Sequence, residues 1–308
     1  MTTYAYLGPR GTFTEAALLA MPESDGAELL PVSSVAVALD LVRAGDVTGA
    51  LVPIENSVEG SVPTTLDELS HGAILQIVDE IAIPVQFALL VRPGTELSDI
   101  KRIATHPHAH AQCAGWIAEN LPGVHVLPAM STAAAAAELT DDANYEAAIA
   151  STAAAEHYGL EILVNGIADK SAAWTRFILV RRQGHALPPS GNDKTTLSLF
   201  MHEDHPGALL EILTEFSLRG VNLTRIESRP TRKQLGDYYF SIDCEGHIDE
   251  EHVGEALKGL HRICADVKFL GSYPRHEAHI TDHESLTIEQ EFKDAEQWLV
   301  AIRDRASD

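Results

Sequence analysis

Over the first 183 residues, short apolar runs alternate with longer stretches in which apolar side chains return every third or fourth position. The runs at 3–8, 50–54, 100–107, 124–129, 145–150 and 174–184 predict strands. The stretches from Thr12 and at 37–45, 109–121, 131–139 and 151–159 predict helices. Thr12-Phe13-Thr14-Glu15 fits a capping box, with the hydroxyl first and the glutamate three residues on. Ser131 or Thr132 would cap one later helix and Ser151 another. Residues 81–94 read as a strand pair interrupted by Pro84. Repeated strand–helix units predict an α/β domain with largely parallel sheets over residues 1–183.

After a Pro-, Gly- and polar-rich linker at 184–194 the rhythm changes. A strand at 195–201 leads to a helix with Pro206 near its start and Gly220 at its end. A hairpin at 222–246, a helix at 249–264 and a last strand at 266–275 complete a βαββαβ order, that of an α+β ferredoxin-like module. The tail from 276 to 308 is acidic and polar, with one short helix expected around Trp298.

Charge narrows the function classes. The formal net charge is −23, which opposes non-specific nucleic-acid binding and obliges an anionic substrate to find specific local donors. No apolar run reaches the roughly 18 residues of a membrane span, and the N-terminal residues carry no signal-peptide pattern. Cys113, Cys244 and Cys264 are far apart and read as reduced core thiols of a cytoplasmic protein.

Candidate chemistry gathers where strands give way to helices. Arg10-Gly11-Thr12, Glu55-Asn56-Ser57, Thr105-His106, Ser131-Thr132 and Ser151-Thr152 all place hydroxyls, amides or glycine there. In open α/β sheets that is where ligands bind, and helix starts favour anions. Arg176 lies within an apolar strand beside Thr175, and is either a buried ion-pair partner or a bidentate carboxylate binder. His106, His108 and His110 alternate without the further ligands a metal site requires, and read as exposed residues entering a helix. There is no Gly-rich phosphate loop or nucleophile elbow, and no cofactor is expected.

"YLGPRGTFTEAAL", "VPIENSVEGSV", "HPHAHAQC", "WTRF" and "GALLEILTEFSLRGVNLTRIESRP", in that order between about residues 4 and 275, together resemble the monofunctional prephenate dehydratases with a C-terminal ACT regulatory domain. The resemblance implies a catalytic domain of two lobes like a type II periplasmic binding protein, lobe A at about 1–76 and 165–183 and lobe B at about 77–164. It also implies an ACT domain at 195–275, a homodimer or homotetramer, prephenate as substrate and L-phenylalanine as allosteric inhibitor bound between ACT modules of two subunits. Thr175 and Arg176 fall on the family's Thr-Arg-Phe run, Glu55, Asn56 and Ser57 on its cleft motif, and these five are the catalytic candidates. Thr12, Ser131, Ser151 and Phe177 are expected at the substrate. Gly207, Ala208, Leu209, Leu210, Asn222, Leu223, Glu227, Ser228 and Arg229 are expected at the effector.

In the implied reaction, prephenate loses carbon dioxide and its ring hydroxyl to give phenylpyruvate, which positioning and electrostatics can promote without metal or cofactor. A threonine hydroxyl is a poor acid, so Thr175 is read as a hydrogen-bond donor to the departing hydroxyl; Glu55 would serve as acid only if burial raised its pKa. The family often carries an asparagine just before Thr-Arg-Phe, where this chain has Ala172 and Ala173, so that contact is missing or falls to Ser171 or Asn165. Trp174 is bulkier than expected. An arogenate dehydratase, with Glu55 or Asp169 receiving an added ammonium, and a non-catalytic small-molecule sensor are the competing readings.

Overall fold

The structure is a computed structural model that describes residues 2–140, 143–169, 173–185, 187–202, 205–232, 237–276 and 283–305. Ser171 and Ala172 lie outside the described residues. The chain forms two compact units, one of residues 1–65 and 81–178, the other of residues 66–80 and 179–308.

In the first unit, β1 (Thr3–Leu7) leads to α1 (Phe13–Leu19), β2 (Glu28–Val32), α2 (Val35–Ala44), β3 (Gly49–Asn56) and the two-residue β4 (Gly60–Ser61). Helix α3 (Pro63–Ser70) and strand β5 (Leu75–Val85) follow, and both continue from one unit into the other. Then come β6 (Ala88–Val91), β7 (Arg102–Thr105), α4 (Pro107–Asn120), β8 (His125–Pro128), α5 (Thr132–Leu139), β9 (Ala147–Ala150), α6 (Thr152–Tyr158), β10 (Glu161–Asn165) and β11 (Ala173–Arg182), whose last four residues belong to the second unit. One sheet has the order β2-β1-β3-β11-β5, with β4 on β3, and a second has the order β10-β6-β9-β7-β8. Pairs β1–β2, β1–β3, β7–β8 and β7–β9 are parallel. Strand β6 runs antiparallel to β9 and β10, so the second sheet is mixed rather than largely parallel.

Several local expectations change. Pro84 does not break the strand pair: β5 runs through it and the break falls at Gln86-Phe87. Strand β5 ends the sheet order, and an edge strand tolerates a residue without an N–H. Thr12 does cap α1 by accepting from Glu15 N, but the Glu15 carboxylate reaches Gly11 N at 2.5 Å and Tyr6 Oη at 2.6 Å instead of closing the box on Thr12. Ser131, not Thr132, caps α5. Strands β2 and β10 and helix α3 are elements the pattern did not reveal.

The second unit contains β12 (Asp193–Phe200), α7 (Ala208–Ser217), β13 (Leu223–Pro230), β14 (Tyr238–Glu245), α8 (Glu251–Ile263) and β15 (Asp266–Pro274), in the expected βαββαβ order. Its antiparallel sheet has the order β13-β14-β12-β15. The alternation Thr-Leu-Ser-Leu of β12 sorts its side chains: Leu197 and Leu199 pack with Ile212, Phe216, Val253 and Leu260 of the helices, while Thr196 and Ser198 face the other way. The tail forms α9 (His283–Arg305), far longer than the short helix expected around Trp298. Cys113, Cys244 and Cys264 are buried free thiols.

Candidate active site

Strands β3 and β11 are neighbours, and the polar end of β3 lies beside the start of β11, which carries Thr175 and Arg176. Because side chains alternate along a strand, Glu55 and Asn56 point to opposite faces, as do Thr175 and Arg176. Two cross-strand pairs result. Asn56 Nδ2 donates to Thr175 Oγ1 at 2.8 Å, and Arg176 Nη2 lies 3.3 Å from Glu55 Oε2. Thr175 is buried and the Arg176 side chain is only 13% exposed, whereas that of Glu55 is 42% exposed.

The turn beyond Asn56 fixes its amide. Asn56 Oδ1 accepts from Val58 N at 2.9 Å and Glu59 N at 3.1 Å, so the amide nitrogen must face Thr175. Gly60 closes the hairpin with φ +84°, a conformation that costs glycine little. Ser57 ties the tip to β11: its N–H donates to Trp174 O at 2.8 Å, and its hydroxyl accepts from Trp174 N at 2.9 Å.

Asn56 and Ser57 line a cavity of about 900 Å³ with Glu59, His108, Gln112 and Asp169. His108 Nδ1 sits 2.6 Å from Glu59 Oε2, and Gln112 Nε2 donates to Glu59 Oε1 at 3.4 Å. The Asp169 carboxylate accepts from Gly115 N and Trp116 N, both at 2.8 Å. His106 is the N-cap of α4, accepting from His108 N; burial, then the neighbouring His108, hold its pKa below the ordinary imidazole value. His106, His108 and His110 thus lie at the entry of a helix, the first as its cap and the other two within it. Glu59 and Gln112 were not singled out from sequence. The four-residue spacing of His108 and Gln112, which places both on one face of a helix, was the available signal.

Other expected substrate residues lie elsewhere. Thr12 Oγ1 donates to Leu7 O at 3.0 Å, and Ser151 Oγ donates to Gly11 O at 2.7 Å. Together with Tyr158 Oη on Arg10 O at 2.8 Å they fasten the Pro9-Arg10-Gly11 loop. Gly11 has φ +79°, and a Cβ there would lie 2.9 Å from Ala154 Cα. Ser131 lines a separate cavity of about 730 Å³ with Arg10 and Met130. Phe177 is buried to 2% exposure among the core residues, two positions deeper than Thr175 on the same face.

In the second unit a cavity of about 800 Å³ is lined by Gly207, Ala208, Leu209, Leu210 and Ser228 of the expected effector residues. Gly207 caps α7 in the left-handed region, φ +97°, with nothing within 4 Å of a Cβ built there. Asn222, Leu223, Glu227 and Arg229 are not among the lining residues. Asn222 O accepts from Glu245 N, and Leu223 packs on the core under the helices. Arg229 is bound to Asp67 through Nε at 3.2 Å and Nη2 at 3.0 Å.

The prephenate dehydratase family model matches residues 4–185, and the ACT domain model residues 195–262. The chain belongs to the prephenate dehydratase family. It is 47% identical over 282 residues to prephenate dehydratase of Mycobacterium marinum, covering 89% of each chain. Among solved structures, it is similar to prephenate dehydratase from Arthrobacter aurescens in complex with L-Phe, at 50% identity and a TM-score of 0.91, over 98% of this chain and 100% of that one. It is also similar to GqqA, described as a novel type of quorum quenching acylase, at 34% identity and a TM-score of 0.79, over 88% of this chain and 97% of that one. The expected class, an α/β catalytic portion followed by an ACT domain, is therefore borne out.

Proposed function

We propose that the chain converts prephenate to phenylpyruvate, carbon dioxide and water, with Thr175 as the hydroxyl that assists the leaving group. The hydrogen bond from Asn56 to Thr175 carries this reading. With Asn56 Nδ2 donating to Oγ1, the threonine proton is left to point away from Asn56 as a donor. Prephenate loses its ring carboxylate as carbon dioxide; the electron pair of that C–C bond enters the ring, and the ring C–O bond breaks as aromaticity is gained. The departing hydroxide takes a proton from solvent to become water, and Thr175 keeps its own. A preplaced donor at that oxygen is worth about 2.7–4 kcal/mol, by the scale of oxyanion-hole donors. Arg176 supplies the charge for a substrate carboxylate by exchanging the Glu55 carboxylate for it, the half-exposed Glu55 being the partner able to move away. In this reading the substrate cavity is the one lined by Asn56 and Ser57, and Asn56 is its link to Thr175; Glu55, Thr175 and Arg176 are not among its lining residues.

Phenylalanine is the proposed effector, held in the cavity of Gly207–Leu210 and Ser228. Its carboxylate would meet the first N–H groups of the ten-residue α7, and its ring the Leu209 and Leu210 side chains. A dimer or tetramer and a cytoplasmic location belong to the same proposal. Among the described residues, no helix is long and apolar enough to cross a membrane.

The test is incubation of the purified full chain with prephenate and, separately, arogenate, following phenylpyruvate and phenylalanine formation. Phenylpyruvate from prephenate is the expected product. Faster turnover of arogenate reassigns the substrate, and no product from either overturns the reading.

A further inference from the structure

The cavity lined by Asn56 and Ser57 carries two carboxylates on its wall, Glu59 and Asp169, and among the described residues that line it there is no lysine or arginine. In the prephenate reading above, it receives a substrate with two carboxylates of its own. Like charges repel, so such a dianion enters only if the carboxylates of the wall are engaged and a cation faces it.

Both carboxylates of the wall are engaged. Asp169 accepts from Gly115 N and Trp116 N, each at 2.8 Å, and is thereby held against α4. Glu59 Oε2 lies 2.6 Å from His108 Nδ1, and Glu59 Oε1 accepts from Gln112 Nε2 at 3.4 Å. His108 and Gln112 stand one helical turn apart on α4, so one face of that helix holds the glutamate at two points.

The cation is then a matter of elimination. His108 is the one side chain among the described lining residues that can carry a positive charge. With Nδ1 committed to Glu59, the other ring nitrogen, Nε2, makes no hydrogen bond among the described residues. The charged and titratable groups that face His108 are Glu59 from the turn after β3, Asp169 on the same cavity wall, and His106 at the start of its own helix, with ring centroids 4.8 Å apart. His106 does not supply the charge, since burial first and then the neighbouring His108 hold its pKa below the ordinary value.

We propose that His108, oriented by Glu59, is a further substrate-binding residue: its protonated ring donates from Nε2 to a carboxylate of the substrate. This rests on the prephenate reading and adds to it the group that meets the negative charge inside the cavity. A hydrogen bond from a charged donor to a carboxylate is among the stronger ones. Its supply follows the protonation of an imidazole, so substrate binding weakens as pH rises through the range in which histidine titrates.

The experiment measures kcat and KM for prephenate with the full-length wild type, His108→Gln and His108→Lys, from about pH 6 to about pH 9. Both substrate carboxylates stay ionised throughout that range, so their titration does not enter. The wild-type KM should rise about tenfold towards the alkaline end, with kcat within about twofold. His108→Gln keeps a hydrogen-bond donor and loses the charge. It should show that raised KM already at the acid end and no further rise. His108→Lys keeps a cation up to about pH 10, so its KM should stay within about threefold of the wild-type acid value at both ends. The side chain of His108 is exposed, and both replacements fit there. A glutamine variant with the wild-type KM at every pH overturns the role of His108. So does a lysine variant that behaves like the glutamine one, because the charge is then not what matters. A wild type that consumes no prephenate at any pH overturns the proposed reaction instead, so the two failures are distinct.

Discussion

Thr175 and Arg176 are adjacent in sequence but face opposite sides of β11, so they answer to different partners and their substitutions should fail differently. Thr175→Val removes the donor while leaving the buried volume nearly unchanged. Turnover should fall about 10²- to 10³-fold with the Michaelis constant within about twofold, whereas Thr175→Ser should retain much of the rate. Asn56→Ala should share the turnover loss, because the hydroxyl is no longer oriented. Arg176→Ala should instead act mainly on the Michaelis constant, raising it about tenfold or more; lysine should rescue only in part, lacking the planar fork. Steady-state kinetics with prephenate separates these outcomes, and a valine variant that turns over normally removes Thr175 from the chemistry. The residue types and strand-end positions of Glu55, Asn56, Ser57, Thr175 and Arg176 were legible in the sequence. Which of them pair was not, because that depends on two strands 119 positions apart becoming neighbours. The burial of Phe177 was not legible for a related reason. Its face is set by the strand period, but its depth is set by the sheet around it.

Short elements with polar inner faces were the least legible. Helix α3 reads Pro-Thr-Thr-Leu-Asp-Glu-Leu-Ser, and its buried residues include Thr65, Asp67 and Ser70, so it lacks a clean apolar stripe. The Thr12–Glu15 spacing gave the start of α1 correctly but not the glutamate's partners, since Tyr6 and Gly11 N compete for the same carboxylate. The loop that Glu15 fastens makes a separable prediction. At Gly11 a side chain meets both a left-handed backbone and Ala154, while at Gly26 the backbone is left-handed, φ +70°, with nothing within 4 Å. Gly26→Ala should therefore show the conformational cost alone, about 1–2 kcal/mol. Gly11→Ala should lower the melting temperature further and depress activity, by shifting the loop against α6. Equal melting temperatures for the two variants would show that the close approach to Ala154 relaxes freely.

For the whole molecule, the order of catalytic and ACT portions was readable from periodicity and motif order, but the membership of residues 66–80 in the second compact unit was not. Asp67–Tyr239 and Glu80–Lys194 span 172 and 114 positions, and such contacts leave no local pattern. A chain ending at Ser190 would strip Asp67 of Arg229, Arg232 and Tyr239, and Glu80 of the Lys194 ammonium at 2.7 Å. Removing one partner of a buried pair costs about 3–5 kcal/mol, so the shortened chain should melt well below the full one. The acid limb of stability follows from the same cluster. Burial pushes the Asp67 carboxyl up, but hydrogen bonds from Arg229 and Tyr239 and the charges of Arg229 and Arg232 outweigh it and hold the pKa below the ordinary value of 3.8. A carboxyl depressed in the folded state contributes stability that is complete above its unfolded pKa and is lost as pH falls through the folded value. Glu146, held down against burial by hydrogen bonds and charge from Arg102 and by the N–H of Lys101, behaves in the same direction. Below pH 4 the melting temperature of the wild type should therefore fall more steeply than that of Asp67→Asn, although the variant is the less stable protein at pH 7. Glu146→Gln should remove a separate part of the slope. Parallel acid limbs for wild type and Asp67→Asn would mean that Asp67 titrates like an exposed carboxylate, and that the three donors do not hold it in solution.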